Sequence, residues 1–274
     1  MNYKLKYGKI KANQRKEDFT LLLTIDIGNT NITLGGFEGD SLLFTARLAT
    51  DCKRTSDQYA VELKQIIELN RFDGKMEGVI ISSVVPVVTE SLFYAMQKLY
   101  GVKPMVLGPG VKTGLNIKID NPAQLGADLV AGAVGALQKY SLPCIVIDMG
   151  TATTLSVINK NGEFLGGAIA AGVGTTLDAL TSRTTLLPSI NVEAPKKAIG
   201  SNTAECMQSG LVFGTAAMID GLIERFTEEL AQKPTVVATG GRAKQVICYC
   251  KNDITVDDNL LLDGLYSIYK KNKA

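Results

Sequence analysis

Two hydrophobic periods organise this chain. Short aliphatic and β-branched runs of strand length end in Gly, Asn or Asp, and between them apolar residues recur every three or four positions. The strongest run is Leu21–Thr30 (LLLTIDIGNT), and Ile145–Thr154 (IVIDMGTATT) repeats it. Each predicts a buried strand that closes in Asp-x-Gly, followed by small hydroxyl or amide residues. After the first come Ile32–Gly39 and Ser41–Thr50, two further strands joined by a Gly-Asp turn. After the second come Thr154–Asn159 and Glu163–Ala170, joined through Lys160-Asn161-Gly162. Each half thus opens with a three-stranded meander whose first turn carries an aspartate. This predicts an internal duplication, two like halves facing one cleft. Two unrelated hairpins are the alternative, and the matched flanks disfavour it.

Helical spacing fills most of the rest. Ser56–Asn70 sets Tyr59, Leu63, Ile66 and Ile67 at helical spacing, with Ser56 as candidate N-cap. Val79–Val85 reads as a buried strand, Val87–Tyr100 as a helix and Pro104–Leu107 as a short strand, completing a βββαβαβ half. Gly108–Asn121 is Gly-rich and reads as a loop over the cleft. A helix is expected over Pro122–Lys139. Gly166–Thr176 reads as a second Gly-rich turn leading into a helix at Leu177–Leu180, and Ser182–Ala198 as a loop. Asn202–Leu230 reads as a long helix with a capping pattern at Asn202–Glu205. Its middle (SGLVFGTAAMIDG) is rich in small residues, suited to close packing on a neighbour or a symmetry mate. Thr235–Thr239 reads as a strand, Gly240-Gly241-Arg242-Ala243 as a turn into a helix, and Ile254–Val256 and Leu260–Lys270 as the closing strand and helix. The expected division is a basic, mobile extension over residues 1–18, a first half over 19–121 and a second over 122–274.

Composition narrows the chemistry. The 274 residues carry a net charge of +2, too balanced to argue for nucleic-acid or membrane binding. There are no histidines, which excludes Ser-His-Asp triads and His metal sites and leaves acid–base work to Asp, Glu, Lys or Tyr. The five cysteines form no CxxC pair, which fits reduced thiols and a cytoplasmic location. Cys248 and Cys250 could ligate a soft metal; two ordinary side chains of one element is the favoured reading. The basic segment Met1–Asp18 lacks the apolar core of a signal peptide. No apolar run is read as long enough to span a bilayer.

An Asp-x-Gly turn at a strand end places a carboxylate beside freed backbone N–H groups. Such a place suits a phosphate and its Mg²⁺, with hard oxygens for the metal and amides and hydroxyls for the anion. Asp26 and Asp148 occupy those places. Asp128 lies in a stretch of Ala, Gly, Leu and Val, where two readings stand. One is a general base whose pKa burial would raise; the other is a solvent-facing or capping Asp. The chain has no GxGxxG and no P-loop, so a nucleotide grip must be of another kind. Gly240 and Gly241 at a strand end would let backbone lie flat against a base or ribose.

In order along the chain, IDIGNT, GPGVKTGL, DNPAQLGAD, DMGTATT, GGAIAAG, TTLLP, IGSNTAECMQSG and ATGGRA resemble the type III pantothenate kinases, from about Leu21 to the end. That family belongs to the acetate kinase/sugar kinase/Hsp70/actin superfamily. The resemblance implies an α/β fold of duplicated actin-like (ribonuclease H-like) βββαβαβα halves around a central ATP cleft, and ATP-dependent phosphorylation of the primary hydroxyl of pantothenate. It implies that Asp26 organises Mg²⁺, that Gly28, Asn29, Thr30, Thr151 and Thr153 lie along the phosphates, and that Gly240 and Gly241 lie along the adenosine. Asp128 would be the base, within a substrate-binding set of Gly126, Ala127, Asp128 and Leu129. Asp148 would lie near a monovalent cation, K⁺ or NH₄⁺. Thr184 would reach pantothenate from the other protomer of a homodimer. The chain departs from the family where Arg commonly follows the base (Leu129), where Tyr commonly precedes the DNP (Ile119), and where Pro often stands in the second Gly-rich segment (Ala171). A kinase of another small hydroxy acid, or a non-catalytic ATP-binding regulatory relative, are the alternatives. Leu129 and Ile119 speak for the first and the basic arm for the second, and the intact Asp26, Asp128 and Asp148 favour an active pantothenate kinase.

Overall fold

A computed structural model describes residues 20–72 and 74–273; the basic extension expected over 1–18 lies outside the described residues. The first sheet starts as an antiparallel meander of β1 (Thr20–Ile27), β2 (Asn31–Glu38) and β3 (Ser41–Ala49). Helix α1 (Ser56–Leu69) leads to β4 (Lys75–Ser83), and α2 (Pro86–Tyr100) leads to β5 (Met105–Val106); both strands run parallel to β1. The order is β3-β2-β1-β4-β5.

The second sheet repeats this plan. Its meander is β7 (Cys144–Met149), β8 (Ala152–Ile158) and β9 (Glu163–Ala171), and β10 (Thr235–Thr239) and β11 (Thr255–Val256) join parallel to β7. The order β11-β10-β7-β8-β9 mirrors the first sheet, with β6 (Asn116–Ile117) added beside β9. The duplication read from the two Asp-x-Gly turns is therefore a duplication of topology.

Alternation along the strands fixes which layer each face meets. Leu21, Leu23, Ile25 and Ile27 pack on Leu63 of α1 and Leu92 of α2, while Leu22, Phe37 and Ile80 face the other way. There they meet α3 (Ala127–Lys139) and α7 (Leu260–Lys273). The second sheet puts Ile145, Ile147, Leu155 and Val157 against α5 (Thr203–Leu230) and the start of α4 (Val173–Arg183). Its other face, Cys144, Val146 and Ile158, meets the same α3 and Leu260. The pair α3/α7 thus lies between the two sheets and belongs to both cores. The two helices approach closely through glycine: a methyl on Gly264 would lie 1.9 Å from the Ala131 carbonyl oxygen, and one on Gly135 would lie 2.2 Å from that of Leu260.

Several expectations are corrected. The N-cap of α1 is Thr55, not Ser56; its hydroxyl accepts from Gln58 N–H while the Gln58 side chain accepts from Thr55 N–H, a reciprocal box Ser56 is out of register to make. The helix expected over Pro122–Lys139 is broken: a 3₁₀ turn spans Pro122–Gln124, Leu125 is extended, and α3 starts only after Gly126. Gly166–Thr176 is mostly strand, and α4 begins already at Val173. Gly167 is needed inside β9 because a methyl there would lie 1.8 Å from the Leu155 carbonyl oxygen. The loop expected over Gly108–Asn121 contributes β6 to the second sheet, so residues 116–117 pair with the half opposite to the one in which they were placed. Finally, α5 is long and apolar enough, by length and composition, to cross a membrane. Its Leu211, Val212, Ala216, Ile219 and Ile223 are buried in the second half, which accounts for the apolar composition.

Candidate active site

Asp26 is the penultimate residue of β1, and Asp148 holds the same place in β7. Both sit at the carboxyl ends of central strands, where parallel neighbours end alongside them: Ser82 of β4 beside Asp26, Thr239 of β10 beside Asp148. Crevices at such strand ends are the usual ligand sites of open α/β sheets. Each aspartate also has a threonine directly across the meander, Thr33 on β2 and Thr154 on β8. Directly opposed residues share a sheet face, and this is the inner face, toward α3 and α7.

The turns after the two aspartates are built alike. Gly28 N–H donates to the Asn31 carbonyl and Gly150 N–H to that of Ala152, each at 2.9 Å. The turns meet across the cleft, where the hydroxyls of Thr30 and Thr151 share a hydrogen bond of 3.0 Å. Behind Thr151, its carbonyl accepts from the Thr175 hydroxyl at 2.6 Å and from Gly172 N–H at 3.0 Å, which ties the turn to the first residues of α4. The third loop of the cleft is the turn after β10. Gly240 adopts φ of +95°, and a methyl there would lie 2.5 Å from an Asp148 carboxylate oxygen. Only glycine fits the conformation and the approach together.

Asp128 reaches this cleft from the helix between the sheets. The break at Leu125–Gly126 puts it in the first turn of α3 rather than mid-helix, half-buried, with its Oδ1 accepting from Leu129 N–H at 2.8 Å. A methyl on Gly126 would lie 2.4 Å from that same oxygen, so the glycine makes room for the carboxylate. Asp128 does not cap the helix, whose N-cap is Gly126 with no side-chain cap bond, and it lies in a position that also faces the other two carboxylates. The enclosed carboxylates are the two at the strand ends. Burial pushes Asp26 up to about 7, opposed by the neighbouring Ser82 and reinforced by the charges of Asp148 and Asp128. Burial likewise raises Asp148 to about 6, with Asp128 adding to it.

Enclosed carboxylates facing each other without an ion-paired cation call for a bound one. Beside them, the hydroxyl oxygen of Thr154 is buried without a hydrogen-bond partner, as is that of Thr153 on the other face of the strand. Among the described residues no group of three or more His, Cys, Asp or Glu side chains is arranged to hold a metal alone. The chemistry of the enclosed carboxylates suits Mg²⁺, which takes one or two protein carboxylates and completes its octahedron with other oxygen ligands. Cys248 is exposed and Cys250 half-buried, and they form no such group with other ligands.

Not every expected residue joins the cleft. Thr153 is fully buried on the opposite face of β8, opposite Met149, because the register counts it one position out of phase with Asp148. Thr154 takes its place. Thr184 stands just after α4, exposed, with its hydroxyl donating to the Leu180 carbonyl at 2.8 Å. Asn29, Thr30, Thr151 and Gly241 are exposed at the turns. Sequence reasoning missed Thr33, Ser82, Thr154 and Thr239; a threonine follows the aspartate at nearly the same offset in both halves, and that was the available signal.

A profile of the family described as type III pantothenate kinase matches residues 22–225. A protein of Halalkalibacterium halodurans described as a type III pantothenate kinase is 41% identical over 253 residues, covering 92% of this chain and 100% of that one. Among solved structures, a protein of Campylobacter jejuni described as a Baf family transcriptional activator superposes with a TM-score of 0.60 at 21% identity, over 92% of this chain and 98% of that one. MreB 5 of Spiroplasma citri bound to AMPPNP superposes with a TM-score of 0.53 at 13% identity, over 93% and 97%. The shared architecture is the duplicated actin-like fold.

Proposed function

The chain belongs to the type III pantothenate kinase family, and from that membership we propose how its cleft phosphorylates pantothenate. The terminal phosphoryl group of ATP passes to the primary hydroxyl of pantothenate, giving ADP and 4'-phosphopantothenate, the first step toward coenzyme A. The observation that carries the assignment of roles is the meeting of Asp26, Asp148 and Asp128 between two duplicated phosphate turns.

Phosphoryl transfer asks little covalent chemistry of a protein; it asks for positioning and for neutral surroundings to the moving charge. Asp26 offers the oxygen ligand for Mg²⁺, and Asn29, Thr30 and Thr151 offer an amide and two hydroxyls to the phosphates beside Gly28. The Thr30–Thr151 bond opens as a phosphate enters, and each hydroxyl then turns to it. Bound Mg²⁺ would neutralise the phosphates and the enclosed carboxylates together. Gly240 and Gly241, with no side chains of their own, leave backbone to lie along adenosine. Asp128 stands in the first turn of α3 and takes the proton of the pantothenate hydroxyl, flanked by Gly126 and Ala127. Asp148 with the hydroxyls of Thr154 and Thr239 forms an oxygen-lined place for K⁺ or NH₄⁺, supported by the unpartnered Thr154 oxygen. Thr153, buried on the far face, has no part in this set.

The protein works as a homodimer in this reading, with Thr184 serving the pantothenate site of the partner. Support comes from the exposed face of α5, where Gly210, Gly214 and Gly221 have open space at the position of a side chain. Leu186 and Ile199, 92% and 88% exposed, precede it in sequence. Leu129 favours a second reading, a kinase for another small hydroxy acid, since it brings no cation to the pantothenate carboxylate. Ile119 adds to it by packing near Gly166 with the second core.

The deciding experiment is ADP release with Mg-ATP and pantothenate, in K⁺ or NH₄⁺ and then Na⁺ alone, for wild type and Asp128→Asn. We expect pantothenate-dependent turnover that needs K⁺ or NH₄⁺ and falls about 10²–10⁴-fold in the variant, the usual worth of a positioned base. Turnover with a different hydroxy acid alone would favour the second reading. Turnover with neither would sink both.

A further inference from the structure

A cation lies in this cleft that none of the roles above uses. Arg47 stands on β3 directly opposite Thr33, which in turn stands directly opposite Asp26. Opposed residues share a face, so Arg47, Thr33 and Asp26 form one row from the sheet edge to the metal-facing carboxylate. The packing of β3 agrees: Phe44, Ala46 and Leu48 belong to the outer core, leaving Arg47 on the cleft side. From there the guanidinium crosses to the other half, where a methyl on Gly241 would lie 3.3 Å from its Nη1. Gly240, next along that turn, abuts the Asp148 carboxylate.

The neighbouring cations are committed elsewhere. Arg242 donates to Gln245 Oε1 at 3.0 Å, and Lys244 pairs with Asp258. No carboxylate among the described residues pairs with Arg47. Nor does the duplication itself require a cation there. The matching position of the second sheet, opposite Thr154 and so in the row of Asp148, is Ile169, 75% exposed.

We infer that Arg47 is a phosphate-binding residue of the nucleotide site, reaching from the first half over the Gly240–Gly241 turn to donate to the phosphate chain of ATP. The inference rests on the kinase reading of the cleft. Its chemistry is complementary: the cleft floor carries three carboxylates, the incoming nucleotide adds more negative charge, and a guanidinium fork matches phosphate oxygens in pairs.

The test compares wild type with Arg47→Ala and Arg47→Lys in the full chain, by steady-state kinetics and by the melting shift that Mg-ATP induces. We expect Arg47→Ala to raise KM for Mg-ATP by about tenfold or more, the scale of a lost charge-assisted hydrogen bond. KM for pantothenate should stay within about twofold, the Mg-ATP melting shift should shrink, and Arg47→Lys should fall between, because an ammonium keeps the charge without the fork. An unchanged KM for Mg-ATP, or an equal rise in both constants, would overturn the assignment. Should Arg47→Ala melt early without ligand, Arg47→Lys decides by the same two constants. If wild type itself fails to turn over pantothenate, the kinase reading falls, and the Mg-ATP melting shift still judges Arg47.

Discussion

Asp26 carries its charge where water is scarce and two other carboxylates are near, so in the unliganded fold that charge is a burden. Between the ordinary value of 3.8 and the raised value of about 7, the folded chain holds more protons at Asp26 than the unfolded chain does. Stability therefore falls as pH rises through that window and is lowest above it. Asp148, raised to about 6, acts in the same direction over a narrower range. Asp26→Asn removes the burden. We predict that it raises the melting temperature of the unliganded protein at pH 8 by at least about 2 °C, that the gain shrinks at pH 5, and that Mg-ATP turnover is lost. Thermal melts at the two pH values, with and without Mg-ATP, check all three. An unliganded Asp26→Asn protein that melts below wild type at pH 8 would refute the desolvation argument.

At the scale of elements, α3 is the part on which the site depends most. Its break at Gly126 brings Asp128 to the cleft, its body joins both sheets, and its crossing with α7 is closed by Gly135 and Gly264. Gly→Ala within a helix ordinarily gains up to about 1 kcal/mol. At Gly264 the added methyl would instead meet the Ala131 carbonyl at 1.9 Å. The helices would have to part, and overpacking of this kind costs about 1–3 kcal/mol. Gly264→Ala is thus predicted to lower the denaturant midpoint, and to reduce kcat because the sheets that carry Asp26 and Asp148 both rest on the displaced pair. Equilibrium unfolding alongside kinetics tests this. A midpoint at or above that of wild type would show that the crossing has room to relax.

For the whole molecule, the two halves meet at the Thr30–Thr151 bond and share the α3/α7 layer, while α5 keeps a face of small residues uncovered. If that face joins two protomers, a long charged side chain on it must separate them. Gly214→Arg is predicted to shift the protein from dimer to monomer in sedimentation and to raise KM for pantothenate, through loss of the partner's Thr184, with KM for Mg-ATP less affected. A wild-type protein that sediments as a monomer at assay concentrations would remove the dimer from the mechanism.

Much of this was written in local pattern. The two Asp-x-Gly turns, the meanders after them, the long helix capped by Asn202 and the Gly-Gly turn after Thr239 follow from hydrophobic period and turn chemistry, which act over a few residues. What the pattern left undetermined depends on phase and on distant partners. Thr153 and Thr154 are equivalent as letters, and only the register of β8 against β7 decides that Thr154 shares the face of Asp148. Pro122–Lys139 reads as one helix until Leu125 extends, which moves Asp128 from mid-helix to the first turn. Asn116–Ile117 pairs across the halves with Glu163–Phe164, a partner some forty-seven residues away that no local period can name. Sequence alone determined the elements, their duplication and the residue types at the turns. The tertiary structure decided which side chains face one another, because side-chain direction in a strand reverses at every residue and the pairing that fixes its phase is set by chain segments far apart.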